Sequence, residues 1–269
     1  MYRFKVTEIS ALLGRHCAGR PQKDEIINHI QYRHPKLAKY LPEGFQVLHK
    51  KAFVTEAIKK RIEGDSKMTH EKLVEIAKEV PVVSISDPSK KRAPVDLPEK
   101  PPALLKSLRD SPPKRKKRKS DMQLSAVRCH LGNNLEKLAI EKYCKQRGES
   151  IEEEQPWVDG HFHTAKSNIE YRILGRADFF DSSKNVGEVK NRAGQRWIVP
   201  VYDVDQCCLY SILTNRDARL VQQRPDLGKE WQVMIADLPR EEMLERWLKE
   251  IKPGLDAFVE SLHECYQSL

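Results

Sequence analysis

Asp178, Glu188 and Lys190 combine residue types and spacings that could do chemistry. Glu188 and Lys190 are two apart, so on a β-strand their side chains share one face. Val189, between them, turns to the other face and joins a core. Asp178 lies on the preceding strand of an expected hairpin, closed by the turn Asp181-Ser182-Ser183-Lys184. Pairing of these strands would bring the Asp178 carboxylate beside that of Glu188. Two carboxylates that close repel unless a divalent cation sits between them. Oxygen-only ligands suit Mg²⁺ or Mn²⁺. Such an ion neutralises a phosphate, and Lys190 would position an attacking water or help to deprotonate it. The plainer alternative is a solvated hairpin face with one ion pair, worth about 0–1 kcal/mol. The setting of Asp178 argues for a central strand instead: Gly175-Arg176-Ala177 precede it and Phe179-Phe180 follow.

Two flanking segments extend the set. Gly132-Asn133-Asn134-Leu135-Glu136 places Glu136 on a long helix, with Leu135 and Leu138 turned inward so that its carboxylate overhangs the sheet edge. Gln206 and Tyr210 are four apart and share one face of a later helix. Taken in order, Gly-x₃-Glu, Gly-x-x-Asp, Glu-x-Lys and Gln-x₃-Tyr resemble the PD-(D/E)XK nucleases, specifically their RecB-like and phage lambda exonuclease-like (YqaJ-type) branch. The resemblance covers residues 121 to about 236. Ala177 stands where many members carry Pro, and Glu136 stands where many RecB-like members carry His, which points to the lambda exonuclease side. The segment from Val6 to Gly14 also echoes one that precedes the nuclease in YqaJ-type viral proteins.

The resemblance implies an α/β fold with a restriction-endonuclease-like core, a central mixed sheet flanked by helices. It implies metal binding by Asp178, Glu188, the Val189 carbonyl and, in some members, Glu136. It implies a catalytic role for Lys190, and a substrate- or water-orienting role for Gln206 and Tyr210. The implied activity is Mg²⁺-dependent (or Mn²⁺-dependent) hydrolysis of DNA phosphodiester bonds, with exonuclease action on ends favoured, in repair, recombination or replication. Two alternatives stand beside it: a non-catalytic DNA-binding or recombination factor that keeps the fold, and a nuclease directed at RNA.

Helices and strands must position these residues. Residues 1–80 read as a small, basic helical module, with helices over 6–13, 24–32, 52–62 and 69–80. Residues 81–120 read as an extended linker, because Pro81 to Pro113 includes eight of the chain's 16 prolines. The linker ends in six consecutive cations, Lys114, Arg115, Lys116, Lys117, Arg118 and Lys119, a run that suits nuclear import or phosphate binding. Residues 121–269 read as the domain with the chemistry. It opens on a long helix to Arg147, followed by strands over 152–158 and 161–165 with a turn at Asp159-Gly160. Strands over 169–174, 176–180 and 186–190 come next, then a helix over 203–213, strands over 218–222 and 231–236, and helices over 241–251 and 255–266.

The chain has 269 residues, and its 48 Lys+Arg against 39 Asp+Glu give a net charge of +9. Residues 1–120 carry 28 cations and 14 anions, and residues 121–269 carry 20 and 25. A basic front half on a mildly acidic back half suggests a polyanionic partner. Arg172, Arg176, Arg192, Arg196 and Trp197 are nucleic-acid-binding candidates, with Trp197 either stacking a base or closing the core among exposed arginines; Trp157, Trp231 and Trp247 are core candidates. No apolar run approaches the roughly 18 residues of a membrane span, and no apolar leader is visible, so an intracellular, preferentially nuclear setting is expected. The six cysteines contain no Cys-x₂-Cys pair, so neither an iron–sulfur cluster nor a disulfide framework is expected.

Overall fold

The computed structural model describes every residue except 16–21, 42–49, 53, 64–69, 85–101, 110–118, 193–198, 225–231 and 269. The first half of the chain contains β1 (Tyr2–Lys5), α1 (Val6–Leu12), α2 (Gln22–Arg33), α3 (Pro35–Ala38), β2 (Lys50–Ala52), α4 (Glu56–Glu63), α5 (His70–Glu79), β3 (Val82–Ser84), α6 (Ala103–Arg109) and α7 (Lys119–Arg147). The second half contains β4 (Ile151–Glu154), β5 (Trp157–His163), β6 (Glu170–Arg176), β7 (Phe179–Asp181), β8 (Val186–Asn191), α8 (Val201–Thr214), β9 (Ala218–Arg224), β10 (Gln232–Leu238), α9 (Arg240–Arg246) and α10 (Lys252–Gln267). The chain divides into two units. Unit 1 comprises Met1–Pro42, Pro94–Pro112 and Ala139–Leu269, and unit 2 comprises Glu43–Ala93 and Pro113–Leu138.

Unit 1 is a mixed α/β layer structure. Its larger sheet has the order β10-β9-β8-β7-β4 and its smaller sheet the order β1-β6-β5. In the larger sheet only β8 and β9 run parallel. Parallel neighbours need a crossover, and α8 supplies it. Phe179, Val189 and Val221 point to one face and pack with Ala139, Ile140 and Tyr143 of α7. The opposite face, which carries Glu188 and Lys190, is turned to α8. Helix α8 stops at Asn215, whose left-handed φ of 58° ends the helical ladder.

Buried polar clusters tie the helices of unit 1 together. Asp205 on α8 is 1% exposed and accepts hydrogen bonds from Ser10 Oγ at 2.9 Å, Arg15 Nε at 2.9 Å and Arg246 Nη2 at 2.7 Å. A carboxylate this deep needs such partners to offset its desolvation. A second cluster gathers His29, His34, Tyr2, Tyr266 and His263. Phe4 stacks on His29 there, with ring centroids 4.9 Å apart. Unit 2 has its own core of Ile58, Ile62, Leu73, Ile76, Ala77, Val80 and Val127, beside the antiparallel pair β2–β3.

Several elements depart from the expectations above. The first residues are not part of a separate module over 1–80: β1 pairs in parallel with β6, Tyr2 opposite Tyr171, and residues 1–42 belong to unit 1. The stretch 81–120 is not uniformly extended, because it contains β3 and α6, whose Leu105 and Leu108 are each 1% exposed. Asp159-Gly160 is not a turn but lies inside β5, where Gly160 leaves room for Leu213 of α8. The expected helix over 241–251 is α9 followed by a π-helical turn, Trp247–Ile251. Trp247 is 3% exposed as expected, but Trp157 is 71% exposed and is no core residue; Trp231 lies outside the described residues.

Candidate active site

Asp178 follows the last strand residue of β6 by two positions and precedes β7. Its backbone N–H donates to the Gly187 carbonyl at 3.0 Å, and its carboxylate Oδ2 accepts the Val189 N–H. The N–H and C=O of one strand residue point to the same side. On β8 the odd residues Gly187 and Val189 therefore face β7, while Arg192 N–H, of the other parity, donates to Gln223 of β9. Strand β7 reaches only from Phe179 to Asp181 and pairs with Gly187 and Val186. The Val189 carbonyl thus lies past the paired part of β7, on the side that the Asp178 carboxylate occupies.

Glu188 is 4% exposed. Lys190 Nζ donates to Glu188 Oε1 and, at 3.0 Å, to Gln206 Oε1. Gln206 Nε2 donates to Tyr210 Oη at 3.4 Å, and Tyr210 Oη donates to the Arg176 carbonyl at 2.7 Å. One polar chain thus runs from β8 through α8 to the end of β6. Close packing brings α8 there: a Cβ on Gly175 would lie 2.7 Å from Val6 Cγ2 and 2.8 Å from Tyr210 Cε1, so only a glycine leaves room.

Electrostatics are consistent with the two carboxylates lying close together. Burial pushes the Lys190 ammonium down, but Glu188 and then Asp178 outweigh it and hold the group above its ordinary value. Burial and then Glu188 push the Tyr210 phenol and the Cys207 thiol up, so both stay protonated. Among the described residues no group of three or more His, Cys, Asp and Glu side chains gathers as a metal site. The oxygen donors at hand are the Asp178 and Glu188 carboxylates and the Val189 carbonyl. Hard oxygens with positions left for water fit Mg²⁺ or Mn²⁺ rather than a soft metal.

Glu136 is half-buried on the part of α7 that belongs to unit 2. Arg172 pairs with Asp159, 2.8 Å from Nε to Oδ2, and Arg176 Nε donates to the Gln155 carbonyl at 3.2 Å. Arg192 forms an ion pair with the fully buried Asp203 and donates to Tyr202 Oη at 3.3 Å, so it fastens the end of β8 to α8 rather than reaching out for a ligand. Arg196, Trp197 and the run Lys114, Arg115, Lys116, Lys117 and Arg118 lie outside the described residues; Lys119 is the first residue of α7. The motif reading missed the Asp203 partner of Arg192 and the buried Gln222, which stands opposite Lys190 on β9. The only signal for either was a polar residue inside an otherwise apolar segment.

No protein-family model matches the sequence, and no curated protein matches it. Solved structures with some likeness include the crystal structure of SSO0001, at 20% identity and TM-score 0.34, covering 47% of this chain and 61% of that one, less than two thirds of its length. They also include LHK-Exo, an alkaline exonuclease from Laribacter hongkongensis, at 14% identity and TM-score 0.37, covering 57% of this chain and 85% of that one. The complex of LHK-Exo with dAMP gives 12% identity and TM-score 0.34, covering 56% and 84%. Likeness of this order does not carry chemistry from one chain to another.

Proposed function

We propose that this chain is a metal-dependent deoxyribonuclease that hydrolyses phosphodiester bonds, acting on DNA ends as an exonuclease in repair, recombination or replication. One observation carries the reading: Glu188, Lys190, Gln206 and Tyr210 share one hydrogen-bonded chain, and the Asp178 carboxylate, from a separate segment, accepts the N–H of Val189 between Glu188 and Lys190. In this reading Asp178, Glu188 and the Val189 carbonyl hold a divalent cation. When bound, that ion neutralises charge on the scissile phosphate and eases attack by water. The Val189 N–H fixes the Asp178 carboxylate in place. Gln206 steers Lys190, whose ammonium holds the attacking water or meets negative charge growing on the phosphate. Tyr210 ties α8 to the strand that leads into Asp178, keeping Gln206 in register. The reading also takes a nuclear setting and an import role for residues 114–119.

The test uses end-labelled linear and closed circular DNA with Mg²⁺ or Mn²⁺. The linear substrate is expected to be degraded and the circle spared. Lys190→Ala is expected to slow cleavage about 10²- to 10⁴-fold, and Asp178→Asn to abolish it. DNA left intact by the parent protein with either metal, or full activity in either variant, overturns the reading. Matched RNA in the same assay separates the two nucleic acids.

A further inference from the structure

Trp157 presents an indole that is 71% exposed, although burying an aromatic side chain of this size is strongly favourable. It does not dangle from a loop: it opens β5, directly opposite Arg176 on the antiparallel β6. Directly opposed residues share a face, with Cβ atoms about 5 Å apart. The Arg176 side chain is exposed too and is braced by Gln155. Backbone bonds weld this pair to the catalytic segment. Ala177 N–H donates to the Pro156 carbonyl at 3.1 Å, Gln155 N–H donates to the Asp178 carbonyl at 2.8 Å, and the Arg176 carbonyl accepts the Tyr210 hydroxyl at 2.7 Å. Asp178 is two residues beyond Arg176.

We propose that Trp157 and Arg176 form a stacking platform at the rim of the site, on which an unpaired nucleobase lies against the indole while the guanidinium meets the neighbouring phosphate. The inference rests on the nuclease reading and names how its substrate is gripped. Every base offers a π-face, so the platform holds single-stranded DNA, or a frayed end, without regard to sequence. A flat apolar ring beside a fixed cation matches the alternation of base and phosphate in such a strand.

The decisive measurement is binding of a single-stranded oligonucleotide carrying 2-aminopurine, in chelator so that no cleavage intervenes. Trp157→Ala is expected to weaken binding about 5- to 100-fold and to remove the quenching of 2-aminopurine. Trp157→Phe, which keeps a ring, is expected to recover most of the affinity. With metal present, Trp157→Ala is expected to raise KM more than it lowers kcat, and Arg176→Gln to flatten the salt dependence by about one phosphate's worth of slope. Unchanged affinity and KM in Trp157→Ala overturn the platform and leave the nuclease reading standing. Failure of the parent protein to bind single strands overturns it as well. Cleavage lost in every sample while binding persists removes the nuclease reading alone. Parent protein that sediments as a dimer, with Trp157→Ala as a monomer, assigns the indole to a second copy instead and overturns the proposal.

Discussion

His34 is 6% exposed, with Nδ1 3.0 Å from the Tyr266 hydroxyl and Nε2 3.3 Å from His29 Nε2. Burial, and then His29 and Arg33, push its imidazole down to about 4, whereas an unfolded chain titrates near 6.5. Between those values the unfolded chain binds the extra proton, so stability falls as pH drops through that window and is fully present above it. The loss is at most about 3 kcal/mol. Burial opposes ionisation of Glu8, but hydrogen bonds from His29 and the Lys5 N–H outweigh it and hold that carboxyl low, which adds to the acid sensitivity further down. Urea midpoints are therefore expected to fall between pH 7 and pH 4.5, and His34→Gln to flatten that fall; an unflattened profile assigns it to other groups. At this scale the gathering of Asp178, Glu188 and Lys190 on neighbouring strands was legible, because strand alternation and one hairpin suffice to place them. Exposure of Trp157 and capture of Arg192 by Asp203 were not, because each depends on what tertiary packing brings to the side chain.

Helix α8 can approach β6 only because Gly175 has no side chain. Gly175→Ala is expected to push Val6 and Tyr210 away, destabilising the protein by about 1–3 kcal/mol and cutting activity as Gln206 loses register. A thermal melt beside a cleavage assay checks both, and a variant with unchanged melting and activity sinks the packing argument. The elements that build the site were readable from the sequence because each is long enough to show its period: β8 as an apolar strand, α8 as an apolar helix. Strand β1 was not, although Tyr2-Arg3-Phe4-Lys5 alternates, since four residues declare no partner. Helix α6 was hidden by the prolines around it. The Asp159-Gly160 pair mimics a hairpin turn, yet a glycine in a strand also marks close backbone approach, and here the approach of Leu213 decided.

Over the whole molecule, charge divides between the two units as well as between the two halves of the sequence. Unit 1 holds 29 Lys+Arg and 29 Asp+Glu, while unit 2 holds 19 and 10, so unit 2 carries the entire excess of +9. If that excess grips phosphates, replacing Lys60, Lys116 and Lys117 together by Gln is expected to reduce the slope of log Kd against log salt by about one for each phosphate no longer held. Fluorescence anisotropy across salt concentrations measures it, and an unchanged slope places the phosphate grip elsewhere. The pairing of β1 with β6 has a different consequence, one for synthesis. Tyr2 meets its partner Tyr171 roughly 170 residues later, a delay of roughly 10–30 s at ordinary translation rates. During that interval Phe4, fully buried in the finished fold, stays bare on an unpaired strand. The smaller sheet closes late, so until then β1 is open to mispairing and to chaperone capture on the ribosome.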